Sequence, residues 1–186
     1  PFKEFVSYPD PKSFFIKPTS LHEIIKLSSC IKTSKADGPD GISPRVVKEC
    51  IHYIVNPLCD IFNMSLSSGI VPDQLKTAKI VPLFKKDNPE FIENYRPVAL
   101  LSIFAKLLER LMYNRLYDFL TQHNILILEQ FGFRKNYSTS LSVLCFTDYI
   151  LQEIEKGNFC CGVFMDLSKA FDTIDHHILL EQLYLY

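Results

Sequence analysis

Several signatures that assign a sequence quickly to a class are missing here. None of the six cysteines forms a Cys-x-x-Cys pair, so neither a zinc ribbon nor a dithiol redox motif is indicated. No run of eighteen apolar residues occurs, and residues 1–10 have no apolar core, so we expect neither a membrane span nor a signal peptide. Internal repeats and low-complexity tracts are also absent.

What the sequence does have is the composition of an ordinary globular domain. Its 186 residues are 47% hydrophobic and 22% charged, with fifteen Phe and nine Tyr available for a core. The cysteines then fit small buried hydrophobic residues in a reducing compartment. We therefore expect one folded, intracellular domain.

Charge is nearly balanced overall, at a net −1, but it is unevenly distributed. Residues 76–135 hold ten Lys/Arg and six Asp/Glu, whereas residues 136–186 hold two Lys/Arg and seven Asp/Glu. A basic block followed by an acidic block suits a protein that holds phosphates on one side and metal ions on the other. An uneven scatter of solvated charge is the alternative explanation.

Helical signals dominate the sequence pattern. Ser20 and Glu23 form a capping box, and Ser43-Pro44 places proline at the first position of a second helix. Apolar residues then recur at helical spacing in two later segments. The predicted helices cover about 20–32, 44 to just before Pro57, 58–66 with a stop at Gly69, 102–122, 141–155 and 176–186.

Two segments favour β-structure. Residues 79–84 favour a short strand weakened by Pro82, and the polar residues 85–94 follow it, so we predict a hairpin or a strand with a mobile tip over 79–100. Residues 159–165 are continuously apolar between turn formers, which predicts a buried strand. The fold class is therefore α+β, mostly helical with a small antiparallel sheet.

A carboxylate follows directly after this second predicted strand. Asp166 stands where a side chain projects from a rigid element into a cleft, a position that suits a metal ligand. Asp172 and Asp175 add carboxylates for Mg²⁺, although caps of the turn and of the final helix explain those two better. His176 and His177 point in different directions on a helix, so we expect them to begin the last helix rather than bind metal.

Four segments stand out in order along the chain: residues 38–42, 94–100, 130–134 followed by Ser138-Thr139, and Asp166 with Lys169-Ala170-Phe171-Asp172. Together they resemble the reverse transcriptase of a non-LTR retrotransposon, of the jockey-like long interspersed type. In that family the first is similar to an upstream motif, the second to the fingers motif, the third to an insertion before motif A, and the last to motif A, the first catalytic motif. The resemblance covers about residues 20–186.

The resemblance implies a right-hand polymerase fold. Residues 1–19 would be an arm or linker, 20–158 the fingers region, and 159–186 the start of the palm with motif A. The implied partners are a template RNA, a DNA primer, deoxynucleoside triphosphates, and the missing C-terminal palm and thumb of the same polyprotein. Two Mg²⁺ ions are the implied cofactor, and nucleus and cytoplasm are the implied locations.

The resemblance also assigns roles at the reaction centre. Asp166 would bind both ions, and the backbone carbonyl of Leu167 would help to hold the triphosphate-bound one. Phe171 would lie under the incoming sugar and exclude a 2′-hydroxyl, whereas on the residues alone it is better explained as a core aromatic. Arg96 would clamp the triphosphate, since guanidinium grips phosphate oxygens bidentately.

Further matches concern the phosphates and the template. Lys85 and Lys86 would reach the same triphosphate, although a solvated loop explains them equally well. Arg134 and Lys135 fall where the family contacts template RNA, and phosphate binding suits both. Gly38 and Gly41 would provide backbone geometry and close approach to the template. They do not form a P-loop, because its spacing and Lys-Ser/Thr ending are missing.

One departure from the family pattern concerns the remaining carboxylates. The family's other two catalytic aspartates lie in an aromatic-x-Asp-Asp turn, and no Asp-Asp pair occurs in this sequence. A single carboxylate does not hold two divalent ions against water and mutual repulsion. We therefore expect a fragment of an RNA-directed DNA polymerase that is inactive alone. The alternatives are a non-catalytic RNA- or DNA-binding module, an inert retroelement remnant, and a group II intron maturase.

Overall fold

The computed structural model describes residues 14–34, 36–167 and 170–184. Helices make up most of its regular structure, beside one two-stranded antiparallel sheet, as predicted for an α+β class. The elements are α1 Leu21–Ser29, α2 Pro44–Ser68, α3 Asp73–Lys76, β1 Ala78–Phe84, a 3₁₀ turn Ile92–Asn94, β2 Tyr95–Leu101, α4 Ile103–Gln122, α5 Thr139–Glu155 and α6 His176–Tyr184.

The chain divides into two compact units. We call Phe15–Phe119 the core unit, and we call the other the motif A unit, whose described residues are Phe14 and those from 120 onward. Of the helices in the described ranges, none combines the length and the apolar character needed to cross a membrane.

The hydrophobic core of the core unit is built by α1, α2 and α4. Ile24, Phe62 and Leu111, one from each helix, are completely buried. Burying a side chain of this size stabilises a fold by roughly 1.5–3 kcal/mol. Leu107 and Leu108, which belong to the apolar spacing that predicted a helix over 102–122, join the same cluster, whereas Met112 of that spacing is 41% exposed.

Helix α2 runs through Pro57, so the prediction that it ends before this proline is wrong. Proline removes one backbone donor and crowds the carbonyl four residues earlier. Pro57 and Tyr53 both lie on the exposed side, where water can satisfy that carbonyl. Val55, on the opposite side, and Leu58 are buried, and this packing outweighs the local cost. The helix ends at Gly69 as predicted, with φ of 72° and an N–H that donates to Ser65 O.

Half of the predicted capping box forms at the start of α1. Ser20 Oγ accepts from the backbone N–H of Glu23 at 3.2 Å, but the Glu23 carboxylate turns elsewhere. It accepts from both terminal nitrogens of Arg115 on α4, at 3.0 and 2.9 Å, and from Thr19 Oγ1 at 2.8 Å. Helix α1 ends at Ser29, three residues before the predicted end.

The Arg115 guanidinium ties the chain before α1 to α4. Its Nε donates to Lys17 O at 2.6 Å and a terminal nitrogen donates to Pro18 O at 3.1 Å. Burial acts to raise the pKa of Glu23, but the hydrogen bonds from Arg115 and Thr19 and the positive charge of Arg115 outweigh it and lower that pKa. The last residues of the predicted arm are thus fixed to the core unit, whereas its residues 1–13 lie outside the described ranges.

Strands β1 and β2 form the hairpin predicted from residues 79–100. The Lys85 N–H donates to Asn94 O at 2.8 Å, which fixes which strand pairs exchange hydrogen bonds. Hydrogen-bonded and non-hydrogen-bonded pairs alternate along an antiparallel hairpin, so Pro82 and Pro97, which face each other, form a pair without hydrogen bonds between them. Their missing N–H groups face the two outer edges of the hairpin, where proline also hinders the addition of another strand.

Residues 159–165 form no β-strand, so that prediction is wrong. The segment has no regular secondary structure, and Phe159 and Met165 are 103% and 88% exposed. A strand needs a hydrogen-bonded neighbour, and β1 and β2 pair with each other. The apolar composition of this segment favours a strand, but within the described ranges no other strand pairs with it.

The prediction of buried cysteines holds for Cys59 alone. Its Sγ donates to Thr19 O at 3.5 Å, and burial together with the charge of Asp60 raises the pKa of the thiol. The exposed cysteines are Cys30, Cys50, Cys145, Cys160 and Cys161. The segment that carries the last two contacts α5 through the rings of Phe164 and Phe146, with centroids 5.9 Å apart, but this contact leaves both cysteines exposed.

Candidate nucleotide and metal site

The β1–β2 hairpin presents Arg96 on one of its faces. Because side chains alternate along a strand, Arg96 shares that face with Lys79, Val81, Leu83 and Val98. Arg96 is exposed, and its side chain makes no hydrogen bond or ion pair within the described ranges. An exposed guanidinium without a protein partner is suited to binding an anion.

The tip between the two strands is organised by hydrogen bonds. Asn94 Nδ2 donates to Asn88 O at 2.7 Å, and Tyr95 Oη donates to Pro89 O at 2.9 Å. Lys85 and Lys86 are both exposed beside this tip. Lys86 Nζ lies 3.9 Å from Asp87 Oδ2, a long and weak ion pair. Both ammonium groups are accessible to an anion, and a solvated loop explains them equally well.

Gly38 and Gly41 serve backbone geometry, as predicted, but in different ways. A Cβ on Gly38 would lie 2.6 Å from the Cα of Ser102 and 2.8 Å from Leu101 O, so this loop packs directly on the junction of β2 and α4. Gly41 has φ of 68° and open space around it, and its N–H donates to Gly38 O at 3.2 Å. The close approach that requires Gly38 is to this chain's own backbone.

Asp166 and Leu167 lie in the motif A unit, on the irregular segment after α5. The turn into this segment is fixed by Glu153, whose carboxylate accepts from Lys156 Nζ and Asn158 Nδ2, both at 2.7 Å. These hydrogen bonds lower the pKa of Glu153. Asp166 is exposed, and its carboxylate makes no hydrogen bond or ion pair within the described residues.

The donor set at Asp166 fits Mg²⁺ only in part. A carboxylate and a neighbouring backbone carbonyl are the hard oxygen ligands that Mg²⁺ prefers. The ion demands about six such ligands in an octahedron. The described part of the chain contains no group of three or more His, Cys, Asp or Glu side chains placed to hold a metal ion. Further ligands must therefore come from water, substrate or other protein groups.

The neighbouring acidic residues are placed as caps and turns. Asp175 Oδ1 accepts from the backbone N–H of His177 at 2.9 Å and of Ile178 at 3.4 Å, which makes Asp175 the N-cap of α6. Asp172 lies in the turn before this helix. Helix α6 begins at His176, as predicted.

Phe171 is not a core aromatic. Its ring is 73% exposed and meets the ring of Phe133 edge to face, with centroids 6.0 Å apart. Phe133 has φ of 60°, a backbone conformation rarely adopted by a bulky residue. The contact joins the motif A turn to the loop at 130–137, two of the segments on which the resemblance rests.

Arg134 is largely committed to its own loop. A terminal nitrogen donates to Ile127 O at 2.7 Å, and the guanidinium carbon lies 4.2 Å from the centroid of the Tyr137 ring. Its Nε is buried and has no hydrogen-bond partner within the described ranges. Lys135, beside it, is exposed. Template binding by Arg134 and Lys135 stays a prediction.

Sequence reasoning missed two features of this chain. Arg115 carried no motif signal, and only long-range packing reveals its contacts. Tyr137 likewise carried no pattern that links its ring to the guanidinium of Arg134. The separation of about 8–15 Å expected between Arg96 and Asp166, from a nucleotide and metal–oxygen distances of ~2 Å, stays a prediction because the residues lie in different units.

Comparison with known proteins identifies the family. The reverse transcriptase (RNA-dependent DNA polymerase) family matches residues 84–185. The chain is 36% identical over 168 residues to the probable RNA-directed DNA polymerase from transposon BS of Drosophila melanogaster, which covers 90% of this chain and 18% of that protein. It is 29% identical over 179 residues to the RNA-directed DNA polymerase from mobile element jockey of the same species, covering 96% of this chain and 20% of that protein.

These relatives confirm the resemblance to polymerases of jockey-like non-LTR elements. The chain spans about a fifth of their length, so the activity of such a whole protein is a separate question. The family match extends over more than half of the residues and includes the hairpin strand with Arg96 and the segment with Asp166. The chain therefore belongs to the reverse transcriptase (RNA-dependent DNA polymerase) family.

Proposed function

We propose that this chain supplies the fingers and the first catalytic carboxylate of an RNA-directed DNA polymerase that copies retrotransposon RNA into DNA. The observation that carries the proposal is the exposed, uncommitted Asp166 within the matched family segment. In a right-hand polymerase, residues 20–158 would form the fingers and 159–186 the start of the palm. Template RNA, a DNA primer and deoxynucleoside triphosphates would be its partners, in the nucleus and cytoplasm.

The proposed chemistry assigns each side chain a task. Two Mg²⁺ ions, when bound, would lower the pKa of the primer 3′-hydroxyl and stabilise the leaving pyrophosphate. The Asp166 carboxylate and the Leu167 carbonyl would hold them together with carboxylates that this sequence lacks. Arg96 would bind the triphosphate bidentately, and Lys85 and Lys86 would neutralise its remaining charge.

The sugar and the template have their own contacts in this proposal. The exposed Phe171 ring would lie under the incoming sugar and leave no room for a 2′-hydroxyl. Lys135 and a terminal nitrogen of Arg134 would bind template phosphates. Gly38 and Gly41 would shape the loop near the template, a role supported by their backbone geometry.

The test is primer extension by a longer protein in which this chain continues into an Asp-Asp motif. Asp166→Asn should abolish extension on an RNA template, because an amide keeps the shape but loses the charge that holds the ions. The matched control is Asp175→Asn, since asparagine caps a helix as well as aspartate does and activity should persist. Full activity of Asp166→Asn would refute the proposal.

A second variant tests the sugar contact. Phe171→Ala should keep extension with deoxynucleotides and gain extension with ribonucleotides, measured side by side on one gel. Unchanged discrimination would remove Phe171 from the sugar site without affecting Asp166.

The alternative function is RNA or DNA binding without synthesis. The 186-residue chain by itself should extend no primer, since its sequence holds no Asp-Asp pair. Salt-sensitive RNA binding by a complete protein that never extends a primer would favour the alternative. Synthesis by the 186-residue chain alone would contradict the view that Asp166 needs further carboxylates.

A further inference from the structure

A cavity of about 310 Å³ lies in the core unit between the end of α1 and the first turns of α4. Three cationic side chains line it: Lys32, Lys106 and Arg110. Its floor is apolar and includes Leu27 and Leu107. None of its lining residues is acidic, so the cavity combines positive charge with a hydrophobic surface.

We propose that this cavity binds single-stranded RNA, with backbone phosphates on the three cations and a base or sugar over the apolar floor. The proposal rests on the proposed function for its choice of ligand. It adds a contact site whose lining residues lie outside the matched motifs on which that function is based.

The cations of the cavity are available to a ligand. Lys32 and Lys106 form no ion pair or side-chain hydrogen bond within the described ranges. The Arg110 guanidinium lies 5.4 Å from the ring centroid of Tyr113, which orients it without neutralising its charge. Three cations around one cavity repel each other, and an anion relieves that repulsion.

The cavity lies next in the chain to the Arg96 hairpin. Strand β2, which carries Arg96, leads directly into α4, whose residues Ile103, Lys106 and Arg110 line the cavity. The strand from Arg96 to Leu101 spans about 17 Å, and the helix from Ile103 to Arg110 spans about 10 Å. Arg96 and the cavity therefore belong to consecutive elements of the core unit.

The lining discriminates between anionic ligands. Inorganic phosphate makes no favourable contact with an apolar surface, whereas each nucleotide of a single strand carries both a phosphate and an aromatic base. The cavity volume lies at the lower end of the ~300–1,000 Å³ typical of ligand cavities. This volume is larger than a phosphate ion alone would fill. A single-stranded polynucleotide matches charge, polarity and size together.

Cys30 provides a direct probe, because it is exposed and lines the cavity. The rate at which iodoacetamide alkylates Cys30 would be measured by peptide mass spectrometry on the 186-residue chain. An oligouridine of about 20 nucleotides, longer than typical single-strand site sizes of ~4–16, would be the ligand. We expect several-fold slower alkylation of Cys30 and an unchanged rate at Cys50, which is exposed on α2 and does not line the cavity.

Charge variants provide an independent readout. Lys106→Gln with Arg110→Gln should lower the salt dependence of oligouridine affinity by about 1.4 in log–log slope, at ~0.7 per phosphate contact. Lys26→Gln, which removes an exposed cation of α1 outside the cavity, should leave the slope unchanged. Circular dichroism would confirm that each variant keeps its helices.

The outcomes are distinguishable. Protection of Cys30 together with the reduced slope supports the inference. RNA that fails to bind, RNA that binds without protecting Cys30, or equal protection by inorganic phosphate overturns it. None of these results changes the expected effect of Asp166→Asn on primer extension, so the proposed function stands or fails separately.

Discussion

The two units of this chain differ in what their helices bury. Every buried hydrophobic residue in the described ranges lies between Ile24 and Leu111, in the core unit. In the motif A unit, no described residue from 120 onward is buried, although α5 repeats apolar residues at helical spacing as clearly as α4 does. Periodicity therefore predicts that a helix forms, whereas burial requires a partner surface that periodicity does not reveal.

The same contrast sets the buried groups apart from the proposed catalytic carboxylate. The core unit carries the packed cluster and the Arg115 network, and it displays Arg96 on the β1–β2 hairpin. The motif A unit carries Asp166 and Phe171 on exposed segments. Paired substitutions, most of them with one member in each unit, test this contrast.

The largest expected effect concerns the buried aromatic Phe62. Phe62→Ala should lower the free energy of unfolding by about 4 kcal/mol, because the ring is completely buried and its removal leaves a cavity. Phe159→Ala, in the motif A unit, should change it very little, because that ring is fully exposed. Urea denaturation measures both changes, and equal losses of unfolding free energy would contradict the contrast between the two units.

The next effect concerns the Glu23–Arg115 pair. Glu23→Gln should cost about 3 kcal/mol at neutral pH, because it leaves the largely buried Arg115 guanidinium without its charged partner. Glu49→Gln, in an exposed pair with Arg45, should cost at most about 0.5 kcal/mol. The same urea denaturation compares the two variants.

The pH dependence of this pair has a definite sign. The pKa of Glu23 is lowered from its ordinary value of 4.5, so the pair's contribution is complete above about pH 4.5. It is lost as pH falls through the lower pKa of the folded state. The difference in unfolding free energy between wild type and Glu23→Gln should therefore shrink in acid, and a difference that grows would contradict the assignment.

A smaller effect is expected at Gly38. Gly38→Ala should cost about 2 kcal/mol, because a Cβ there collides with the backbone at Ser102, which cannot move aside as a side chain can. Gly132→Ala is the control in the motif A unit, since nothing lies within 4 Å of its added Cβ. If the two variants had equal free energies of unfolding, the backbone at the β2–α4 junction would be able to move away from the added Cβ at little cost, contrary to this prediction.

Much of the fold could be predicted from local sequence signals. Ser20, Ser43 and Gly69 mark helix ends as capping chemistry requires, and the hairpin followed from its polar tip. Pro57 misled the prediction because burial on the opposite side of α2 outweighs a local cost. The strand at 159–165 failed because strand pairing depends on a neighbour and not on the segment's own composition.

The candidate site was predictable where a motif carried it. Resemblance singled out Asp166, Arg96 and Phe171, and their exposure is compatible with the proposed roles. The Phe133–Phe171 contact and the cation-lined cavity were not predictable, because each joins residues that are distant in sequence and that no local pattern links. Such sites are defined by packing alone.

Hydrogen exchange of the full 186-residue chain tests most directly whether stability is concentrated in the core unit. The account predicts strong amide protection in the buried parts of α2 and α4. The opening free energy for exchange there should approach the free energy of global unfolding. Much weaker protection is expected in α5, α6 and residues 159–167, where no described residue is buried. Equal protection in α5 and α2 would contradict the account.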